Sequence, residues 1–487
     1  MSDTYDAGSP GNGLSNVKWN GVALAGKQIV VILFSLVLAR LLGPNSYGIV
    51  AQATVYIAFT TLILDQGVSA SLISRKGVDR DLLGASMTLN VVVALCLALA
   101  TWPVAVPLAD FLNTSELTLV LPVLGLGLLL KGMQVVPRML LVRRFHFRAL
   151  AFIEVGSALL GGIAGVVAAV LGADYWAIVV QLLVTDVCLS ISLLCVARPP
   201  RPNARFTRLR EIIGFSVRVF AGSILSFGTR NIDTVLIARY LGETAVGHYS
   251  LAYRVLLMPV QMVGQTVSRV IFPSVSRDRE DPARVSTVLL RSTRAIAAIT
   301  FPLMTLIAVS SHDTILVILG TEWLPAAPIM AVLAITGARQ SITVLNAPTM
   351  LGFGRADMQL RFMIVAAVVQ VGGMIAGLSF GAFGVALGYT IAGIVLTPVI
   401  FWIQKALAGS SYRAQLLALA APAHASAWGG AAYAALFLLP ANPGVRLAIG
   451  APLLLGVYLI VLRVVHARVF ISLTEDALGV MRGGRKA

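Results

Sequence analysis

Three charged side chains lie within two consecutive apolar stretches of the chain. Arg230 and Asp233 are three residues apart, so they share one face of an α-helix, and Arg254 lies in the next stretch. A guanidinium group offers a planar fork of donors that matches the oxygen atoms of a phosphate. Because two arginines stand against one aspartate, the set has excess positive charge. It could bind a diphosphate, or it could only fix the packing of its helices.

Other ionisable residues lie inside or near the ends of further apolar stretches. Lys27 and Arg218 could contact the same anion, or they could extend their side chains to a membrane surface. Asp65, Asp186 and Glu154 are acidic candidates for coupling to an ion. Asp65 and Glu154 lie near the ends of their stretches, where we expect them to pair with arginines of the adjoining loops.

The sequence lacks the residue patterns that bind a metal or catalyse a reaction. Its five histidines show no H-E-x-x-H or other ligand spacing. Cys96, Cys188 and Cys195 lie inside apolar stretches and have no spacing typical of a metal site or a disulfide framework. We therefore expect no cofactor, no metal and no enzymatic activity.

The composition is typical of an integral membrane protein. Of the 487 residues, 58% are hydrophobic and only 12% are charged, whereas about a quarter of the residues of a soluble domain are charged. The net charge of +16 would suggest a nucleic-acid partner for a soluble protein. Membrane proteins, however, collect Lys and Arg in their cytoplasmic loops, so no nucleic acid is expected. The N-terminus does not resemble a signal peptide, and the first span should be retained.

Apolar stretches of about 20 residues recur along the whole chain and predict an all-α integral membrane protein with about fourteen transmembrane helices. Each predicted span begins and ends with its apolar stretch. The predicted spans are 20–42, 46–68, 82–108, 117–137, 149–171, 175–197, 213–241, 246–272, 286–309, 325–350, 358–380, 383–404, 414–438 and 444–465.

The positive charges of the loops alternate from one side to the other. Loops after even-numbered spans, and both chain ends, hold most of the loop Lys and Arg residues, while loops after odd-numbered spans hold only Arg40, Arg239 and Arg446. By the positive-inside rule, both termini should be cytoplasmic, in a cell (inner or plasma) membrane. A missed or an extra span would break this alternation, so the alternation supports the count of fourteen.

One short motif occurs twice. Residues 39–48 read ARLLGPNSYG and residues 238–247 read ARYLGETAVG, each between the first two spans of a half and on the predicted outer side. Its glycines suit a tight hairpin because glycine tolerates φ > 0. The repetition predicts two six-helix bundles in a parallel internal repeat, followed by two C-terminal helices.

The predicted organisation therefore has six parts. They are a cytoplasmic N-terminal tail (1–16), a first six-helix bundle (17–197), a cytoplasmic basic linker (198–212), a second six-helix bundle (213–404), two additional transmembrane helices (405–465) and a cytoplasmic C-terminal tail (466–487).

The antiparallel hairpin formed by the seventh and eighth spans brings two opposite charges to similar depths. Asp233 lies nine residues before Gly242, and Arg254 lies seven residues after Gly247. At about 1.5 Å per residue these depths nearly match, which predicts an ion pair. Arg230 would then lie about 18 Å from the hairpin turn, near the membrane midplane, and without a clear partner.

Four segments together resemble a known family of transporters. They are RLLGPNSYG (40–48), LDQGVSASLISRK (64–76), VPRMLLVRRFHFRALAFIE (136–154) and RNIDTVLIARYLGETAVGHYSLAYR (230–254). Their combination resembles the polysaccharide transporters, the lipid-linked oligosaccharide flippases of the multidrug/oligosaccharidyl-lipid/polysaccharide (MOP) superfamily. The likeness runs from about residue 17 to about residue 340, and beyond it only the hydropathy is similar.

The resemblance implies two six-helix bundles around a central cavity, with alternating access. It implies a substrate of sugar units on an undecaprenyl diphosphate carrier, exported for exopolysaccharide or lipopolysaccharide synthesis, with a polysaccharide polymerase and chain-length machinery as possible partners. Two alternatives remain open. A cation-coupled multidrug-type antiporter would favour acidic residues in its cavity, and a membrane glycan polymerase or glycosyltransferase would need a large extramembrane loop or a carboxylate pair.

Overall fold

The computed structural model describes the backbone of residues 4–6, 13–65, 77–203 and 210–483. It describes their side chains except at 4–6, 13–25, 77–78, 210–223, 225–226, 257–259, 261–270, 272–274 and 476–483. In chain order the strands and α-helices are β1 (Thr4–Asp6), α1 (Gly13–Asp65), β2 (Gly77–Asp79), α2 (Arg80–Leu112), α3 (Leu117–Arg143), α4 (Phe147–Val170), α5 (Trp176–Ala197), α6 (Arg210–Leu241), α7 (Glu243–Asp278), α8 (Pro282–Val309), α9 (Ser311–Ile318), α10 (Ala326–Thr343), α11 (Asn346–Gly352), α12 (Ala356–Gly377), α13 (Gly381–Ala408), α14 (Tyr412–Ala435), α15 (Pro443–Val464) and α16 (Ala467–Gly483).

Over the residues that the structure describes, each of the fourteen predicted spans lies on a helix, so the all-α membrane architecture is confirmed. Spans one and two both lie on α1, which is broken at Gly43, and span ten lies on α10 and α11. Among the described residues, nine helical segments are long and apolar enough to cross a membrane. Two of these, Gly26–Asp65 and Ala356–Ala408, each hold two of the predicted spans. The two short strands pair with each other in antiparallel register.

The glycines of the repeated motif have two different roles. Gly43 and Gly242 have positive φ angles of 75° and 81°, as predicted for a hairpin turn. Gly48 and Gly247 do not have positive φ, so that part of the prediction was wrong. Another part of the chain approaches each of them too closely to leave room for a side chain.

The chain divides into two compact units, residues 1–247 and 248–487. In the first unit, α2, α3 and α5 share a core that includes Leu83, Leu140 and Leu193, which are fully buried or nearly so. In the second unit, α8 and α10 pack around Leu289 and Leu345, which are also buried. The division into six parts predicted from the sequence stays a prediction.

A buried ion pair joins α9 to the start of α15 in the second unit. Arg446 donates from Nη2 to Oδ1 of Asp313 over 2.7 Å and from Nε to Oδ2 over 3.1 Å. The Tyr433 hydroxyl donates to the same carboxylate over 3.2 Å, and the Phe437 ring lies 4.5 Å from the guanidinium carbon. The Asp313 side chain is completely buried, so this pair fixes the start of α15 against α9.

Helices α12 and α13 contact each other through backbone. A Cβ atom on Gly373 would lie 2.5 Å from the carbonyl oxygen of Gly388, and a Cβ on Gly377 would lie 2.1 Å from that of Gly384. These distances leave no space for any side chain at the crossing. Small residues at a helix contact allow this close approach in membranes, where dispersion contacts replace the hydrophobic effect.

Candidate functional site

Helix α3 presents a stripe of polar side chains to its neighbours in the first unit. Lys131, Gln134 and Arg138 have the spacing i, i+3, i+7, which places them on one face of the helix. Helix α3 is also one of the segments apolar enough to cross a membrane. Charged residues in such segments cost free energy on insertion into the membrane, so each one is a candidate for a functional site.

The first part of this stripe pairs with α5. Lys131 Nζ lies 2.9 Å from Oδ1 and 2.8 Å from Oδ2 of Asp186. Gln134 Nε2 donates to the Asp186 backbone carbonyl over 3.2 Å and to the Ser190 hydroxyl over 2.9 Å. Ser190 Oγ in turn lies 2.7 Å from the Asp186 carbonyl oxygen. Asp186, predicted as an acidic candidate for ion coupling, is therefore neutralised by a lysine in this structure.

The second part of the stripe forms a three-residue cluster with α1 and α4. Glu154 accepts from Arg138 Nη2 at Oε1 and from Lys27 Nζ at Oε2, the latter over 3.4 Å. The prediction that Glu154 pairs with a nearby arginine is confirmed, although Arg138 lies on α3 and not in a loop. The ammonium group of Lys27 therefore shares this carboxylate with Arg138, and the predicted contact of Lys27 with an anion stays a prediction.

The exposure of these side chains shows which charges an incoming molecule would meet. Arg138 and Lys27 are 48% and 34% exposed, whereas Glu154 is only 8% exposed. Lys131 is 27% exposed against 12% for Asp186. The accessible groups are therefore the cations, and three cations stand against two carboxylates. This arrangement, which we call the α3 cation stripe (Lys27, Lys131 and Arg138 with their carboxylates), is suited to an anion.

Arg230 and Asp233 both lie on α6, but they are in different environments. Arg230 is exposed and makes no hydrogen bond or ion pair within the part of the chain that the structure describes. Asp233 is 4% exposed, and its Oδ1 accepts from the backbone N–H of Thr234 over 2.7 Å. The two residues therefore share a helix without pairing with each other. Arg230 remains available to an external anion.

The structure says less about the other candidate residues from the sequence. The predicted pair between Asp233 and Arg254 stays a prediction, as does a role in binding for Arg254. The side chain of Arg218 lies outside the described residues. Asp65 is the last residue of α1, with an exposed side chain.

Sequence reasoning missed several cations inside the predicted spans, among them Lys131 and Arg339. Lys131 interrupts an apolar run on α3, and it could have been found by the criterion that selected Arg230. Arg339, on α10, was missed in the same way. Its Nε is buried without a hydrogen-bond partner among the described residues, and a Cβ on Gly393 would lie 2.5 Å from that atom. Gly393 therefore provides the space that the Arg339 guanidinium occupies.

Breaking the Lys131–Asp186 pair should reduce the yield of folded protein. Lys131→Met leaves a carboxylate, and Asp186→Asn leaves an ammonium, without its partner in a spanning segment. We expect each single change to lower the monodisperse fraction after detergent extraction about two-fold or more. The double change removes both charges and should recover part of the loss. Fluorescence-detected size-exclusion chromatography measures these fractions.

The matched control for this prediction is the exposed pair of Arg355 and Asp357 at the start of α12, joined over 3.1 Å. Surface pairs of this kind contribute little, so Asp357→Asn should leave the yield unchanged. A double variant at Lys131 and Asp186 that is worse than both single variants would contradict the pairing.

Helices long and apolar enough to cross a membrane, joined by buried ion pairs, define the class of the molecule, which is a multi-pass membrane protein. The sequence profile of the family described as "Polysaccharide biosynthesis protein" matches residues 37–328, more than half of the chain. The chain belongs to this polysaccharide biosynthesis protein family, as the four segments had indicated.

Two curated relatives and one solved structure extend this result. The succinoglycan biosynthesis transport protein ExoT of Rhizobium meliloti (strain 1021) is 28% identical over 363 residues, 74% of each chain. The lipopolysaccharide biosynthesis protein WzxC of Escherichia coli (strain K12) is 25% identical over 433 residues, 85% of each chain. The lipid II flippase MurJ, in an inward closed conformation, has the same fold with a TM-score of 0.77, at 14% identity, over 93% of this chain and 99% of that one.

Proposed function

We propose that the protein flips a polyprenyl-diphosphate-linked oligosaccharide from the cytoplasmic to the outer leaflet, by alternating access, for the synthesis of exopolysaccharide or lipopolysaccharide. The observation that carries the proposal is the α3 cation stripe, whose accessible groups are cations with a surplus of positive charge. The names of ExoT and WzxC, a transport protein and a lipopolysaccharide biosynthesis protein, support the glycan class of the substrate.

The surplus charge addresses the main energetic obstacle of flipping. A diphosphate is anionic and loses its hydration when it enters the membrane interior, at a large cost in free energy. Fixed cations lower that cost without binding the sugar units. A cavity that binds the cationic drugs of a multidrug-type antiporter would be acidic, so its charge would be opposite to that of the α3 cation stripe. The charge balance therefore favours the flippase over the antiporter.

We assign the candidate residues two roles. Arg230, Arg254, Lys27 and Arg218 contact the diphosphate during its passage. Asp233, Asp65 and Asp186 balance these charges or couple the passage to an ion. Lys131 and Arg138, found from the structure, join the first group.

The location follows from the same proposal. The protein resides in the cell (inner or plasma) membrane with both termini and the linker 198–212 in the cytoplasm, as the loop charges predict. A polysaccharide polymerase and chain-length machinery would receive the flipped substrate on the outer side.

Reconstitution into vesicles tests the function. We expect purified protein to move a labelled lipid-linked oligosaccharide across the bilayer well above the rate of protein-free vesicles. An imposed potential, positive on the receiving side, should accelerate the movement, because each elementary charge gains about 2.3 kcal/mol per 100 mV. Flipping no faster than in protein-free vesicles, together with cation-coupled export of a cationic drug, would replace the flippase with the antiporter.

A further inference from the structure

Two phenylalanine rings contact each other in the first unit, one helical turn from Arg230. Phe59 on α1 and Phe227 on α6 have ring centroids 5.7 Å apart, and their ring planes are tilted by 48°. Phe227 and Arg230 are three residues apart, so they share one face of α6. Phe59 is 36% exposed, Phe227 is half-buried and Arg230 is exposed. The aromatic pair and the cation are therefore neighbours, and each keeps part of its surface accessible.

The face of α6 that carries Arg230 borders a polar space. An exposed arginine near the predicted membrane midplane would lose its hydration if it faced hydrocarbon, and charged residues of spanning segments almost always face a bundle interior or a water-filled cavity. Arg230 makes no hydrogen bond or ion pair among the described residues, so no described protein group takes the place of that water. Because Phe227 lies one turn away on the same face, the aromatic pair borders the same space.

Asn231 adds a hydrogen-bond acceptor beside the rings. Its Nδ2 donates to the backbone carbonyl of Phe227 over 2.9 Å, which ties the amide to the turn that carries the ring. Its Oδ1 makes no hydrogen bond within the part of the chain that the structure describes, and the residue is only half-buried. An aromatic surface, an available carbonyl oxygen and a guanidinium group therefore lie within about 6 Å along the axis of α6.

We propose that Phe59, Phe227 and Asn231 form a subsite for the sugar ring that is bonded to the diphosphate of the substrate. Arg230 contacts the diphosphate itself. A pyranose ring has a face of C–H groups, which suits the electron-rich face of an aromatic ring, and its hydroxyl groups can donate to Asn231 Oδ1. The inference rests on the proposed function, because it names the part of that substrate which lies beside the cation. We call these three residues the sugar subsite.

The polyprenyl tail is the other apolar group that could lie against the rings, and the surroundings of the rings favour the sugar. The tail gains nothing by leaving the hydrocarbon of the bilayer, since exposing it to water costs about 25 cal/mol for each Å² of apolar surface. The sugar, in contrast, must remain in the polar space to keep its hydroxyl groups hydrogen-bonded. An aromatic surface beside an exposed guanidinium group therefore meets the sugar.

Binding of defined lipids to the purified protein tests the sugar subsite. The probes are sugar-free undecaprenyl diphosphate and the same lipid carrying a single glucose, galactose or N-acetylglucosamine. We expect the wild-type protein to bind at least one sugar-bearing lipid about five-fold more tightly than the sugar-free lipid. Phe59→Leu or Phe227→Leu should remove most of this preference, because leucine is apolar but has no aromatic face, whereas Phe227→Trp should keep it. The affinity for the sugar-free lipid should stay unchanged in all three variants. Microscale thermophoresis in detergent measures the dissociation constants.

Two further variants and a control separate the sugar subsite from its neighbours. Asn231→Ala should also lower the preference for the sugar-bearing lipid, while Arg230→Ala should weaken the binding of both lipids and leave their ratio unchanged. The matched control is Phe147→Leu at the start of α4, because Phe147 also contacts a second phenylalanine, Phe145, with ring centroids 6.1 Å apart. That variant should keep both affinities.

Three results would overturn the sugar subsite. The first is equal binding of all the lipids by the wild-type protein, and the second is a preference that survives both leucine substitutions. The third is an equal loss of affinity for the sugar-bearing and the sugar-free lipid in the leucine variants, which would assign the rings to the tail or to the fold. Flipping is measured in vesicles made from the same preparations. A wild-type protein that shows the preference but does not flip would refute the proposed function and not the subsite.

Discussion

Replacing Arg230 with alanine is expected to abolish flipping and to leave the amount of folded protein unchanged. The side chain is exposed and makes no contact with a charged partner among the described residues, so its removal breaks no ion pair of the fold. The variant loses a cation that would lower the cost of bringing the diphosphate into the membrane. Arg230→Lys should keep partial activity, because the charge survives without the bidentate fork. The measurement is the outward appearance of lipid-linked oligosaccharide in vesicles.

Arg277 offers a matched control for this experiment. It lies in the last turn of α7, its side chain is 74% exposed, and it contacts Asp278 over 3.4 Å. Arg277→Ala should therefore flip at the normal rate. A normal rate in Arg230→Ala would remove Arg230 from the substrate path. If the wild-type rate did not respond to the potential, an obligatory counter-ion would be indicated, and Asp65 and Asp186 would be the residues to replace next.

Replacing Asp313 with asparagine is expected to lower thermal stability strongly. The change leaves the Arg446 guanidinium without its charged partner, and breaking a buried pair from one side is among the most destabilising single substitutions. We expect the apparent melting temperature to fall on the order of 10 °C. Differential scanning fluorimetry in detergent measures this shift. The double variant Asp313→Leu, Arg446→Met should recover most of it, because no charge then remains buried.

The pair should also resist acid. Burial alone would raise the pKa of Asp313, but the hydrogen bonds and charge of Arg446, with the Tyr433 and His312 hydrogen bonds, outweigh burial and hold the pKa below its ordinary value. A lowered pKa means that the carboxylate stabilises the fold above the unfolded-state pKa of about 3.9 and loses this effect only in stronger acid. The difference in melting temperature between wild type and Asp313→Asn should therefore be constant from neutral pH to about pH 5. A difference that disappears already at pH 6 would contradict this assignment.

The spans could be predicted because hydropathy and loop charge are properties of local sequence. An apolar run of sufficient length forms a helix whichever helices it packs against. Gly43 forms the turn inside α1 because glycine readily adopts a positive φ angle. The repeated motif was visible for the same reason. None of these features requires knowledge of which helices are neighbours.

The partners of the charged residues could not be predicted, because they depend on helix neighbours. Asp313 and Arg446 are 133 residues apart, and Lys131 and Asp186 are 55 apart. Sequence reasoning considered only neighbouring spans and loops, which was enough for Glu154 and Arg138, 16 residues apart, but not for these distant pairs. Likewise, the motif glycines were assigned to turns, while the contact of Gly48 and Gly247 with the other copy depends on how the hairpins pack.

The backbone contact between α12 and α13 has a consequence for how this part of the chain can change over evolutionary time. The crossing requires glycine at 373, 377, 384 and 388, where no other residue fits. Many other positions of the two helices, such as Val368 and Val395, are exposed and need only remain apolar. Substitutions among aliphatic residues can therefore accumulate there without loss of packing.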